Sequence, residues 1–95
     1  MTHALFHTER FESSLDGLIA DGRLTLLRAQ ALEDALADLK AEPTRHDGIR
    51  KGLIEPHWIK LCRASGGVDT GLRVVYLLHE DGLVFLDDLY TVDPG

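Results

Sequence analysis

Two cations stand inside otherwise apolar runs in the last third of the chain, and they are the residues best suited to chemistry. Lys60 lies within Trp58-Ile59-Lys60-Leu61-Cys62-Arg63, and Arg73 within Leu72-Arg73-Val74-Val75-Tyr76-Leu77-Leu78. A positive charge among apolar neighbours needs a partner, a solvent-facing position or a task. The plain alternatives are an ion pair from Arg73 to Asp87 or Asp88 on the next run, and a Lys60 ammonium lying over Trp58. Upstream, Arg45, Arg50 and Lys51 sit in a polar connector, and Arg63 closes the first run. They form either a solvated surface or a set of contacts to phosphate.

Other chemistries find less support. His3, His7, His46, His57 and His79, with the lone Cys62, lack the paired close spacing of a zinc site, so no metal is expected. Cys62 has no implied base beside it and reads as a small strand residue rather than a nucleophile. Gly66, Gly67 and Gly71 join strands instead of opening a helix, so no phosphate-cradling loop is present. No cofactor is expected.

The bulk composition narrows the class. Ninety-five residues, 44% of them hydrophobic, imply one domain spanning 1–95 with a single core. A net charge of −6 argues against a general nucleic-acid-binding surface. The charge is uneven, because residues 41–63 carry five Lys or Arg against three Asp or Glu, whereas 64–95 carry one against six. An anionic ligand would therefore favour 45–63. One cysteine rules out an internal disulfide framework and fits a reducing compartment. The opening residues are too short and polar for a signal peptide, and no apolar run is long enough to cross a bilayer. The expectation is a small cytoplasmic protein with no membrane contact.

The elements that must position these residues follow from periodicity. Residues 3–7 suit a short first strand. Thr8 then caps a helix whose Phe11, Leu15, Leu18 and Ile19 share a face, and Gly22 closes it. A second helix carries the stripe Leu24, Leu27, Ala31, Leu32, Ala35, Leu36 and Leu39, and Pro43 stops it by about Lys40–Glu42. Thr44–Pro56 reads as a polar connector anchored by Leu53 and Ile54. Three strands complete the chain, with a mobile turn at Ala64–Gly71 and a tight hairpin at Glu80-Asp81-Gly82. On the first of them Ile59 and Leu61 share one face, and Trp58, Lys60 and Cys62 the other. The order β-α-α-β-β-β predicts an α+β fold, with a helical hairpin on one face of a mainly antiparallel sheet.

Ile59-Lys60-Leu61-Cys62-Arg63-Ala64-Ser65-Gly66 and Leu72-Arg73-Val74-Val75-Tyr76, followed by an acidic-Gly turn and a hydrophobic strand, resemble the RelE/ParE superfamily. These are toxins of type II toxin–antitoxin modules, and the order of elements matches across nearly the whole chain. The resemblance implies a growth-inhibiting toxin silenced by a cognate antitoxin. In the RelE-like branch it implies ribosome-dependent, metal-independent mRNA cleavage (an mRNA interferase), in which a 2′-hydroxyl attacks the adjacent phosphate. Carried onto this chain, Arg73 clamps the scissile phosphate, Lys60 stabilises charge there and Tyr90 stands in as general acid. Arg50, Lys51 and Arg63 are the corresponding RNA contacts.

The ParE-like branch inhibits DNA gyrase by protein contact and needs no catalytic set. Trp58 replaces a basic residue common in the ribonuclease branch, and Asp87, Asp88 and Asp93 place negative charge where phosphate would bind. The alternative function is a catalytically inert RelE/ParE-fold protein-interaction module.

Overall fold

The computed structural model describes residues 4–50, 57–79 and 82–92; of Arg50 only the backbone is described. His3, Lys51, Leu53, Ile54, Glu80, Asp81 and Asp93 lie outside these residues.

The chain runs β1 (Leu5–His7), α1 (Glu9–Ala20), α2 (Leu26–Ala41), β2 (Gly48–Arg50), β3 (His57–Arg63), β4 (Asp69–Leu78) and β5 (Val84–Thr91). These strands form one sheet in the order β1-β5-β4-β3-β2. Every pairing is antiparallel except β1 on β5, which is parallel. The result is an α+β domain whose two helices cover one face of the sheet. Among the described residues no helix is long and apolar enough to cross a membrane.

Local chemistry accounts for the helix ends. The Thr8 hydroxyl accepts from Phe11 N and the Thr25 hydroxyl from Arg28 N, each at 3.2 Å, so each hydroxyl satisfies an otherwise orphaned amide. Glu9 and Glu12 in the first turn of α1 complement its dipole. Gly22 takes the left-handed conformation that ends α1, with φ of 69°. α2 stops at Ala41, ahead of Pro43.

The core forms between the helices and one sheet face. Phe11 and Leu18 of α1 and Ala31, Leu32, Ala35 and Leu39 of α2 meet Cys62, Leu72, Val74, Tyr76, Val84, Leu86 and Leu89. α1 also seals the outer edge of β5 where β1 ends. Thr8 N donates to Leu86 O, the Thr8 hydroxyl to Asp87 O, and the Ser14 hydroxyl to the Asp88 carboxylate at 2.6 Å.

Four expectations need correction. Thr44–Pro56 is not wholly a connector, because Gly48–Arg50 pairs with His57–Ile59 as β2. The Ala64–Gly71 stretch is shorter as a turn than expected: β4 begins at Asp69, and Ala64 N and Gly67 N are both hydrogen-bonded inside the turn. α2 begins at Leu26 instead of Leu24, since Thr25 is the residue whose hydroxyl caps it. Ile19 and Leu27, assigned to apolar stripes, are more than half exposed, whereas Leu18 and Leu24 near the same hairpin tip pack in or against the core.

Candidate functional site on the uncovered sheet face

Strand parity decides which side chains share a surface. Arg73 lies opposite Leu61 on β3 and Tyr90 on β5, so Arg73 and Tyr90 are cross-strand neighbours on the face away from the helices. Lys60 lies opposite Val74, whose side chain belongs to the core. Lys60 and Arg73 therefore point to opposite faces, and one phosphate cannot touch both. That corrects the pairing implied by the resemblance.

Each described cation of the expected set already has a carboxylate. The Arg73 guanidinium grips Asp69 with two parallel bonds, 2.7 and 2.8 Å, not Asp87 or Asp88 as the plain alternative supposed. This bidentate bond, reinforced by Gly71 N on the same carboxylate, holds Asp69 below the ordinary carboxylate range. It also raises Arg73. Arg63 reaches Asp47 at 3.5 Å and Gly67 O at 3.4 Å. The same Asp47 carboxylate accepts from Leu61 N at 2.9 Å, satisfying a β3 amide just past the end of β2.

Lys60 is buried under α2, where its ammonium lies 3.9 Å from Asp38 and 3.5 Å from Arg45 O. Both contacts are long, and Asp38 is largely exposed. Replacing Lys60 with Met should therefore leave stability within about 1 kcal/mol of the native chain, or raise it. Urea unfolding checks this; a loss well beyond that would mean that the ammonium anchors α2.

A polar pair that the strand patterns did not single out crosses the same open face. His57 Nε2 lies 3.1 Å from Asp87 Oδ2, and Arg10 of α1 approaches the same oxygen at 3.9 Å. His57 belongs to β3 and Asp87 to β5, so their side chains meet over β4, where Val75 is buried. A bulge makes this possible: Val75 faces Asp88 but Tyr76 faces Leu86, leaving Asp87 as the extra residue. The signal was present in the sequence. Leu86 and Leu89 are both core residues three apart, which strict alternation forbids without an inserted residue.

Beside this pair lies an aromatic strip. Phe6 stacks on Phe85 at 5.4 Å, and His79 meets Phe85 edge-on at 4.8 Å. On the helix side, Cys62 is fully buried, and burial pushes its thiol up to about 12, which makes it inert at neutral pH. Among the described residues no group of three His, Cys, Asp or Glu is placed to hold a metal ion.

No family model matches the chain, and no curated protein or solved structure matches it.

Proposed function

We propose that the chain is the toxin half of a type II toxin–antitoxin pair, and that it acts by protein contact instead of cutting mRNA. The order of elements and the meander carrying Lys60 and Arg73 support the toxin reading. One observation carries the choice of mechanism. Arg73 is gripped by Asp69, Arg63 and Lys60 lie 3.5 and 3.9 Å from Asp47 and Asp38, and Lys60 and Arg73 are divided between the two sheet faces. Phosphorane stabilisation needs cations preorganised around one phosphate and free to meet it. Here a phosphate would have to displace Asp69 from Arg73 and would never reach Lys60. Contact with DNA gyrase, or with another protein target, asks for no such cluster.

A second reading keeps metal-independent RNA cleavage, because His57–Asp87 and Arg73–Tyr90 share the uncovered face. Those residues supply an oriented acid–base group, a phosphate cation and a phenol.

Induction in a bacterial host, alone and with the product of an adjacent small gene, tests both readings. The expected result is growth arrest relieved by co-expression, mRNA intact by toeprinting, and co-purification of the two chains. Absence of arrest in every host overturns the toxin assignment. Cleaved mRNA, lost in both His57→Ala and Arg73→Ala, replaces the contact mechanism with the second reading.

A further inference from the structure

A solvent-open cavity of about 510 Å³ lies where α2 ends, between the Pro43–Thr44 turn and the far ends of β4 and β5. Pro43, Thr44, Leu78 and Gly82 line it, with Glu42 and His79 as its ionisable side chains among the described residues. Its lining is mainly apolar, yet its electrostatics are not neutral. The sixteen-residue α2 directs the negative end of its dipole here, and Glu42, the C-cap, adds a full charge. Arg45 sits 3.6 Å from Glu42, with both side chains mostly exposed. That carboxylate thus already has a guanidinium at ion-pair distance, too far for a hydrogen bond, and remains accessible to another.

We propose that this cavity receives an arginine or lysine side chain of a protein partner. The methylene stem would lie against Pro43 and Leu78, and the cation would face Glu42 and the end of α2. An anion meets the helix dipole and Glu42 with the wrong sign. A purely apolar side chain would strip water from Glu42 without replacing it. A long stem with a terminal cation satisfies both halves, since such side chains bury their stems and keep the charge at a polar rim. The chain's net charge of −6 favours the same partner chemistry at longer range. This inference rests on the reading of the chain as a protein-binding module.

Titration of the isotopically labelled full chain with N-acetyl-arginine methylamide, followed by NMR, tests the pocket without any partner. Saturable shifts are expected at Thr44, His79 and Gly82. The norleucine counterpart should bind about three- to fivefold more weakly, as should the arginine probe to Glu42→Gln, the range typical of an exposed ion pair. Ala41→Phe, at an exposed position on the cavity wall, should abolish the shifts while leaving the fold intact. Equal binding of the norleucine probe, or shifts unchanged in Ala41→Phe, overturns the proposal. Because no antitoxin or target is present, failure here is distinct from failure of the toxin assignment, which the growth experiment reads.

Discussion

Gly71→Ala is expected to destabilise the domain by about 3–4 kcal/mol, lowering the Tm by on the order of 15 °C. Two costs combine. Gly71 has φ of 83°, a left-handed conformation that costs an L side chain roughly 1–2 kcal/mol. A Cβ there would also stand 2.5 Å from the carbonyl oxygen of Val92 and 3.3 Å from the Arg28 guanidinium. The guanidinium is itself bonded to Thr70 O and Arg23 O, and the carbonyl is fixed because Val92 N donates back to Gly71 O at 2.7 Å and ties the two strand ends together. Relief requires the end of β5 to move.

Gly66 supplies the control: its φ is 85°, but nothing lies within 4 Å of its virtual Cβ. Gly66→Ala should lose only the conformational part, about 1–2 kcal/mol. Urea unfolding of both variants, followed by Trp58 fluorescence, separates the terms. Equal losses would mean that the Val92 contact costs nothing. The site should feel the change too, since Gly71 N helps hold the Asp69 carboxylate that grips Arg73.

The same stretch explains what was legible in the sequence. Period-3.6 stripes, Thr8, Gly22 and Pro43 marked both helices, because caps and breakers act over a few residues whatever the tertiary context. The meander was legible from its β-branched and aromatic runs. β2 was not, since Gly48-Ile49-Arg50 is too short to establish a period, and only its partner His57–Ile59 makes it a strand. The start of β4 was hidden for a related reason: Asp69, Thr70 and Gly71 look like turn residues and adopt strand pairing only against Arg63 and Val92.

The parity of Lys60 was readable and placed it correctly with Cys62, but which parity faced the helices was not. That choice depends on the whole set of strands burying their larger apolar face. Likewise, the sequence offered Arg73 only Asp87 or Asp88 on the next strand, and the pairing went instead to Asp69 through the bulged, glycine-bearing start of β4. His57–Asp87 needed a bulge on one strand and a register on two others, each a non-local quantity.

Tyr76 links the core to the cavity, and truncating it should cost about 3–5 kcal/mol in Tyr76→Ala. Its ring is fully buried opposite Trp58 and Leu86. Its hydroxyl donates to Pro43 O at 2.6 Å, tying the residue that terminates α2 to the middle strand of the sheet. Tyr76→Phe keeps the ring and strands only that carbonyl, so about 1–3 kcal/mol is expected.

The hydroxyl also gives the variant a pH signature. Burial raises its pKa from 10.0 to about 12. Below pH 10 both folded and unfolded chains keep the proton, and the stabilising contribution is complete. Between pH 10 and 12 the unfolded chain loses that proton first, so the native chain loses about 1.4 kcal/mol per pH unit from this group. Tyr76→Phe should lack that slope while keeping the one from Cys62. Its stability deficit should therefore shrink as pH rises from 10 to 12, which denaturant titrations at fixed pH would measure. A constant deficit would mean that the phenol ionises in the folded chain as freely as in the unfolded one. Because Pro43 also lines the cavity, Tyr76→Phe should weaken the arginine probe even where the chain is fully folded, joining a core hydrogen bond to a surface contact.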